Sequence, residues 1–565
     1  MLYHKTIPIE HIHSCLRIVQ AACEGEITYD LAERKRKEDI MGKKKQMRSE
    51  VKGNVKNSIG RIAFAALAVL LQIGWILILM IKLYQYSSVI SLLTSLFALV
   101  VALRIYGKHT NAAFKMPWII VILAFPVFGL CIYGLFGHKE AMHKIIRKFE
   151  DVDAQLIPLN VQDETILQQL EQEDPLLANQ CHYIWKYGNY PVYDTTAVKF
   201  YPEAYLGYEE QLKELEKAKH FIFLEYHAIE EAEAFARLKD VLARKAAEGV
   251  EVRILYDDVG CIGFLDKSFI DRMNAIGVQC RVFNYVVPFL NIFMNNRDHR
   301  KIMVIDGKVG FTGGYNLADE YFNITHPYGY WKDTGVKLTG RAVQNFTMMF
   351  LEMWNVMGQA DTDYEKYLKA SQEGAEDGNV QKASGYVQPY ADSPLDGEPV
   401  GENVYLNLIK TAKERLYVAT PYLIISDEMT RELGLAAKRG VDVRVFTPGI
   451  PDKKIIYGVT RSYYSGLVRQ GVRVYEYTPG FLHAKQMLCD GDTATVGTIN
   501  MDYRSLYHHF ENGCFMADCD AVLDIRRDME QTLEQCREVT EKYKSGRSAT
   551  LRLGQLFLRL FAELL

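Results

Sequence analysis

The chain has 565 residues, enough for two or three domains, and its 49% hydrophobic content exceeds what a purely soluble enzyme needs. A formal net charge of −4 speaks against the broad positive field of a phosphodiesterase acting on nucleic acid, so no nucleic-acid partner is expected. Ten scattered cysteines, without paired or metal-ligand spacing, argue against a disulfide framework and favour a reducing compartment.

Residues 1–61 hold no span or motif and read as a basic, disordered N-terminal extension, with Met41 as an alternative start. Their apolar runs are too short for a signal peptide. Eleven Lys or Arg fall between positions 34 and 61, a pattern expected on the cytoplasmic side of a membrane and attractive to anionic lipid. Three uncharged runs follow at 62–81, 86–103 and 116–137, which predict a transmembrane region over 62–137, the third run kinked at Pro126. Three full crossings from a cytoplasmic start would leave the remainder outside, whereas Lys139, Lys144, Arg147 and Lys148 argue for inside, so one segment is open to a re-entrant or interfacial reading.

From about residue 180 the pattern alternates strand and helix, and the two halves repeat each other. Phe221 to Tyr226 answers to Leu416 to Tyr422, and the turns at Gly249 and Gly277 answer to those at Gly440 and Gly471. The expected organisation is an α/β fold of two duplicated α-β-α sandwich lobes, 150–370 and 401–550, sharing one site. Residues 371–400, rich in Gly, Ser, Asp and Glu, read as a linker. The apolar stretch 286–294 is open to two readings, a lipid guide or a buried loop. Residues 551–565 read as an amphipathic helix too short to span, expected to dock on the body, with surface attachment to lipid as the alternative.

The chemistry is carried by an eight-residue pattern that occurs twice, His299-Arg-Lys301-Ile-Met-Val-Ile-Asp306 and His483-Ala-Lys485-Gln-Met-Leu-Cys-Asp490. Ten residues past each Asp lies an Asn, Asn316 and Asn500, each ending a Gly-containing turn. Side chains at i and i+2 of a strand share a face, so His299 pairs with Lys301 and His483 with Lys485. Burying an imidazole and an ammonium in an apolar strand is costly unless something anionic sits there. A doubled His/Lys/Asn set therefore suggests one phosphate held between two imidazoles.

These motifs resemble the phospholipase D superfamily, and the similarity extends over roughly 60–565 to bacterial cardiolipin synthases through Arg297 to Lys301, Gly313 to Tyr321, Pro421-Tyr422, Gly480 to Lys485 and Asn500 to Ser505. The resemblance implies one His attacking phosphorus, the other protonating the leaving group and then deprotonating the acceptor hydroxyl, with no metal and no cofactor. It assigns His299 as nucleophile and His483 as acid and base, an order open to reversal. Lys301, Lys485, Asn316 and Asn500 would bind the phosphoryl oxygens, helped by Gly314 and Thr498, while Glu511 and Asp333 would orient the histidines. Asp306 and Asp490 are candidates for the catalytic set, with a turn or ion-pair role as the alternative. The implied activity is transfer of a phosphatidyl group from one phosphatidylglycerol to another in a bacterial cell membrane, catalytic part on the cytoplasmic side. Rival readings are a phospholipase D, a synthase of another phospholipid, and an inactive membrane scaffold.

Overall fold

The computed structural model describes residues 88–137, 142–286, 292–361, 363–373 and 385–544, with isolated positions between 63 and 78 and at 559 and 562. The N-terminal extension, most of the 62–81 run and residues 287–291 lie outside the described residues.

Strands rich in Phe, Ile and Val divide their side chains between two cores. In Phe221–Tyr226, Phe221 and Phe223 enter one apolar cluster, while Ile222, Leu224 and Tyr226 enter another on the opposite face. This is the two-residue period of a strand covered on both sides. The first sheet runs Thr196–Tyr201, Gly335–Gly340, Val309–Gly313, Lys301–Ile305, Phe221–Tyr226, Glu251–Asp257, Val278–Phe283. The second runs Tyr386–Asp392, His509–Ala517, Thr493–Gly497, Gln486–Cys489, Arg415–Ala419, Asp442–Pro448, Arg473–Tyr477, and then adds Cys536–Glu538. Position by position the first seven match, including two parallel pairings at the same place in each order. The fold is a duplicated mixed α/β structure.

Between the sheets lies the cluster containing Phe223, Ile302 and Val304 of the first lobe and Tyr417, Leu488 and Val496 of the second. Helix Val343–Val356 runs through this layer and buries every residue except Glu352. A helix buried on all sides belongs in the middle of a protein. Its polar groups are satisfied in place, with Asn345 donating to the carbonyls of Pro191 and Pro389.

Two short ladders stitch the lobes together. Arg297–Asp298, just ahead of the first motif, pairs in parallel with His509 and Phe510 of the second lobe. Gly480–Leu482, just ahead of the second motif, pairs in parallel with Tyr330–Lys332 of the first. Each motif is thus held by the other lobe's backbone.

Several expectations need correction. The 371–400 stretch is only partly a linker, because Tyr386–Asp392 is a fully buried edge strand of the second sheet. A strand buried on both faces lacks the polar alternation that would have marked it. The run 116–137 is two helices, Ala112–Ala124 and Pro126–Phe136, rather than one kinked helix. Phe125 at φ −136°, ψ 73° leaves the helical region, which the residue before a proline disfavours, and Pro126 starts the second helix. The two pack back against each other so closely that a Cβ on Gly129 would lie 2.5 Å from the Ile122 Cα. The 86–103 run corresponds to helix Ser88–Tyr106. Among the described residues no helix is long and apolar enough to cross a membrane. Of 551–565 only Arg559 and Ala562 are described; Arg559 lies over the Tyr463 ring at 4.1 Å and Ala562 is buried in the second lobe's core.

Candidate active site

The short inter-lobe ladders deliver the two motif histidines to the seam. His299 N–H donates to the Phe510 carbonyl at 2.9 Å, and the next residue, Glu511, meets the His299 ring at Nδ1, 2.9 Å from either carboxylate oxygen. His483 N–H donates to the Lys332 carbonyl at 2.7 Å, and the next residue, Asp333, meets His483 Nδ1 at 2.6 Å. The two histidines are held by one device, with the lobes exchanged. A carboxylate accepting from Nδ1–H leaves Nε2 as the basic nitrogen.

Both lysines fold back onto their own motif, Lys301 Nζ donating to the His299 carbonyl at 2.7 Å and Lys485 Nζ to the His483 carbonyl at 2.5 Å. Lys485 Nζ also lies against the His483 ring, 2.7 Å from Nδ1 and 2.9 Å from Nε2. Burial pushes Lys301 down to about 8 and Lys485 down to about 7, the latter with a contribution from Lys301 itself. Burial likewise holds His483 down at about 3 and His299 well below the usual imidazole range, Lys485 adding to the first and Lys301 to the second. The field of each lysine reaches the other lobe's histidine as well. Both motifs converge on one cationic focus lined by neutral imidazoles, an arrangement that an anionic ligand relieves.

The turn residues also support the carboxylates behind the histidines. Thr498 Oγ1 donates to Glu511 Oε2 at 2.5 Å, so its hydroxyl steadies the carboxylate behind His299. Gly314, the equivalent position, sits where a Cβ would be 2.1 Å from Asp333 Oδ1, so glycine makes room for the carboxylate behind His483. Asn316 accepts from Ala228 N–H at 3.2 Å and donates to Tyr321 Oη at 2.8 Å. Asn500 Oδ1 is buried with no hydrogen-bond partner among the described residues.

Asp306 and Asp490 do not join this site. Asp306 accepts from the backbone N–H groups of Lys219, His220 and Phe221 at 2.7–2.9 Å, and Asp490 from those of Lys413, Glu414 and Arg415 at 2.7–3.1 Å. Both have positive φ, 52° and 53°, in the turn after the motif strand. Each ties that turn to the start of the neighbouring strand, at the end away from the histidine. The turn reading replaces the catalytic one.

Two histidines outside the motifs enter the site. The His227 and His509 rings lie 4.9 Å and 5.4 Å from that of His299. His227 Nδ1–H donates to the Asp298 carbonyl at 2.7 Å, and burial lowers its ring to about 3. His509 is two residues before Glu511 on one strand, so the i, i+2 rule places both on one face. Around His483 stand Trp331, Tyr321 and Phe481, with ring centroids at 5.1, 5.3 and 5.7 Å. Arg300, between the two motif residues, faces away and pairs with Glu352 at 2.9 Å.

The family model described as cardiolipin synthase, PLD-like domain, matches residues 212–354 and again 405–533, and the phospholipase D-nuclease N-terminal model matches 94–138. An uncharacterised protein of Streptococcus mutans is 41% identical over 451 residues, covering 80% of this chain and 96% of that protein. A cardiolipin synthase of Alkalihalophilus pseudofirmus is 33% identical over 485 residues, 84% of this chain and 94% of that one. Cardiolipin synthase 2 of Bacillus cereus is 33% identical over 476 residues, 83% and 90%. With both lobes matched by one model and full-length relatives at this identity, the chain belongs to the phospholipase D-like cardiolipin synthase family.

Proposed function

We propose that the chain is a membrane-anchored phosphatidyltransferase that makes cardiolipin. The observation that carries this reading is the crosswise pairing of His299 with Glu511 and His483 with Asp333. His299 Nε2 attacks the phosphorus of a phosphatidylglycerol, the P–O bond to glycerol breaks, and His483 gives its proton to the departing oxygen. In the second half His483 takes the proton from the hydroxyl of another phosphatidylglycerol, that oxygen attacks the phosphorus, and the P–N bond to His299 breaks. Lys301, Lys485 and Asn500 face the charge that develops on the phosphoryl oxygens.

The bound phosphodiester supplies a nearby negative charge, which favours protonated His483. Lys485, 2.9 Å from His483 Nε2 and lowered to about 7, is the local proton source. Neutral His299 is the form that attacks.

Membrane attachment is supported by apolar side chains left exposed on Ser88–Tyr106, among them Leu92, Leu96, Val100 and Leu103. The hairpin Ala112–Ala124 and Pro126–Phe136 has arms of 13 and 11 residues, about 20 and 17 Å at 1.5 Å per residue, short of the ~30 Å core. We read this hairpin as entering and returning on one side of the membrane, which keeps the cations at 139–148 on the side from which it enters.

Labelled phosphatidylglycerol supplied to purified protein tests the reading. Cardiolipin and glycerol in equal amounts are expected; phosphatidic acid as the main product would make the protein a hydrolase.

A further inference from the structure

His509 is a buried imidazole without a job in the transfer chemistry. Its side chain is 10% exposed, and neither ring nitrogen has a hydrogen-bond partner among the described residues. Leaving two polar ring atoms unsatisfied is costly, and native structures rarely do so without a reason. Its Nδ1 lies 3.5 Å from Glu511 Oε1, and that oxygen lies 2.9 Å from His299 Nδ1. One donor atom from each of His299, His509 and Glu511 falls within 4.8 Å of the other two.

Two imidazoles and one carboxylate are a donor set that zinc accepts with a position left open. Zn–N and Zn–O bonds of about 2.0–2.2 Å in tetrahedral geometry set neighbouring donors roughly 3.3 Å apart. The two separations to Glu511 Oε1, 2.9 and 3.5 Å, bracket that spacing. Thr498 holds the other carboxylate oxygen and so presents Oε1 to the two rings.

We propose that His299, His509 and Glu511 form an inhibitory site for a borderline transition-metal ion, Zn²⁺ being the probe of choice. The ion takes the place of the proton between His299 Nδ1 and Glu511. With Nδ1 coordinated, the proton of neutral His299 resides on Nε2, and the lone pair that would attack phosphorus is gone. Magnesium, which prefers octahedral oxygen ligands and keeps its water, is a poor fit. The site's existence stands on geometry alone, and only its inhibitory effect rests on the proposed role of His299.

The test is calorimetric titration of ZnCl₂ into the full-length, metal-free protein in detergent micelles, alongside the labelled-lipid assay. One ion per chain is expected, with no comparable heat from MgCl₂, and turnover should fall in step with occupancy and return on chelation. His509→Asn should weaken zinc binding by at least ~10-fold, since it removes a direct ligand where even supporting residues carry 10–100-fold effects. Co²⁺ bound to the unsubstituted protein should give the intense visible absorption of a low-coordinate site, a readout that holds if the variant folds poorly. Absence of zinc binding, equal affinity in folded His509→Asn, or full turnover with zinc bound would each overturn the proposal. If the metal-free protein makes no lipid product, the functional reading fails while the binding data still decide the site.

Discussion

Glu511 belongs to the second lobe and His299 to the first, yet they are 2.9 Å apart, and the residue before Glu511 holds the backbone of His299. One strand, His509–Ala517, therefore sets both the position and the tautomer of a group in the other half of the molecule. The same relation links Asp333 to His483. Neither lobe contains a complete oriented histidine, so catalysis requires the docked pair.

That dependence predicts separate effects for the two carboxylates. Glu511→Gln and Asp333→Asn should each lower kcat by about 10²–10⁴-fold with little change in KM, as expected when a catalytic imidazole is held in the wrong tautomer. Steady-state transfer assays on folded variants check this; a loss confined to KM would assign the carboxylates to lipid binding.

The order of the histidines is open to a direct measurement. Acid-labile, alkali-stable label from the donor phosphorus should appear on the peptide containing His299 after rapid quenching of the native enzyme. Label on the peptide containing His483 would reverse the assignment without disturbing the geometry.

Much of this site was legible in the chain because strand periodicity and duplication leave marks one residue at a time. The doubled motif fixed which four side chains converge, and the repeated turns marked two equivalent lobes. The exchange of carboxylates between lobes left no such mark, because Phe510 and Lys332 act through backbone carbonyls, which any residue supplies. His509 was within reach: applying to Glu511 the same i, i+2 rule used for His299 and Lys301 leads to it. Asp306 and Asp490 stood as catalytic candidates beside a turn reading because their spacing repeats as faithfully as that of the histidines and lysines; what the structure shows repeating is a turn. Tyr386–Asp392 was hidden in the linker because a seven-residue strand buried on both faces shows no alternation.

The turn aspartates should separate stability from chemistry. Each accepts three backbone hydrogen bonds at a positive φ, so Asp306→Ala or Asp490→Ala should destabilise by about 3 kcal/mol, the scale for bonds to an ionised acceptor. The folded fraction should retain kcat within about threefold, since no atom of the reaction is touched. Denaturant melts and assays at low temperature distinguish this from a catalytic role, which would depress kcat at unchanged stability.

Acid should weaken the fold through its buried histidines. His227 and His483 are held at about 3, below the 6.5 of the unfolded chain, so as pH falls from about 6.5 the unfolded state takes up protons that the folded state refuses. The contribution of these two histidines is therefore fully present above about 6.5 and is lost progressively toward 3. Glu511, raised by burial, works in the opposite direction in wild type and variant alike. His227→Gln should lose about 1 kcal/mol less than the unsubstituted protein between about pH 7.5 and about pH 5.5. Equal losses in the two proteins would mean that His227 is protonated in the native state.

The proton economy of the second motif predicts the shape of the rate profile. With Lys485 at about 7 and its Nζ beside His483 Nε2, the free enzyme loses its proton source as pH rises through neutrality. Accordingly kcat/KM should fall about tenfold per pH unit above about 7, because that quantity reports ionisations of the free enzyme. No acid limb is expected just below neutrality, since His299 stays neutral there through burial and the field of Lys301. In Lys485→Arg the guanidinium cannot give up a proton, so the limb near 7 should vanish and kcat/KM should stay low across the pH range. A limb that remains near 7 in that variant would shift the titration to another group, with Lys301, held at about 8, the next to test.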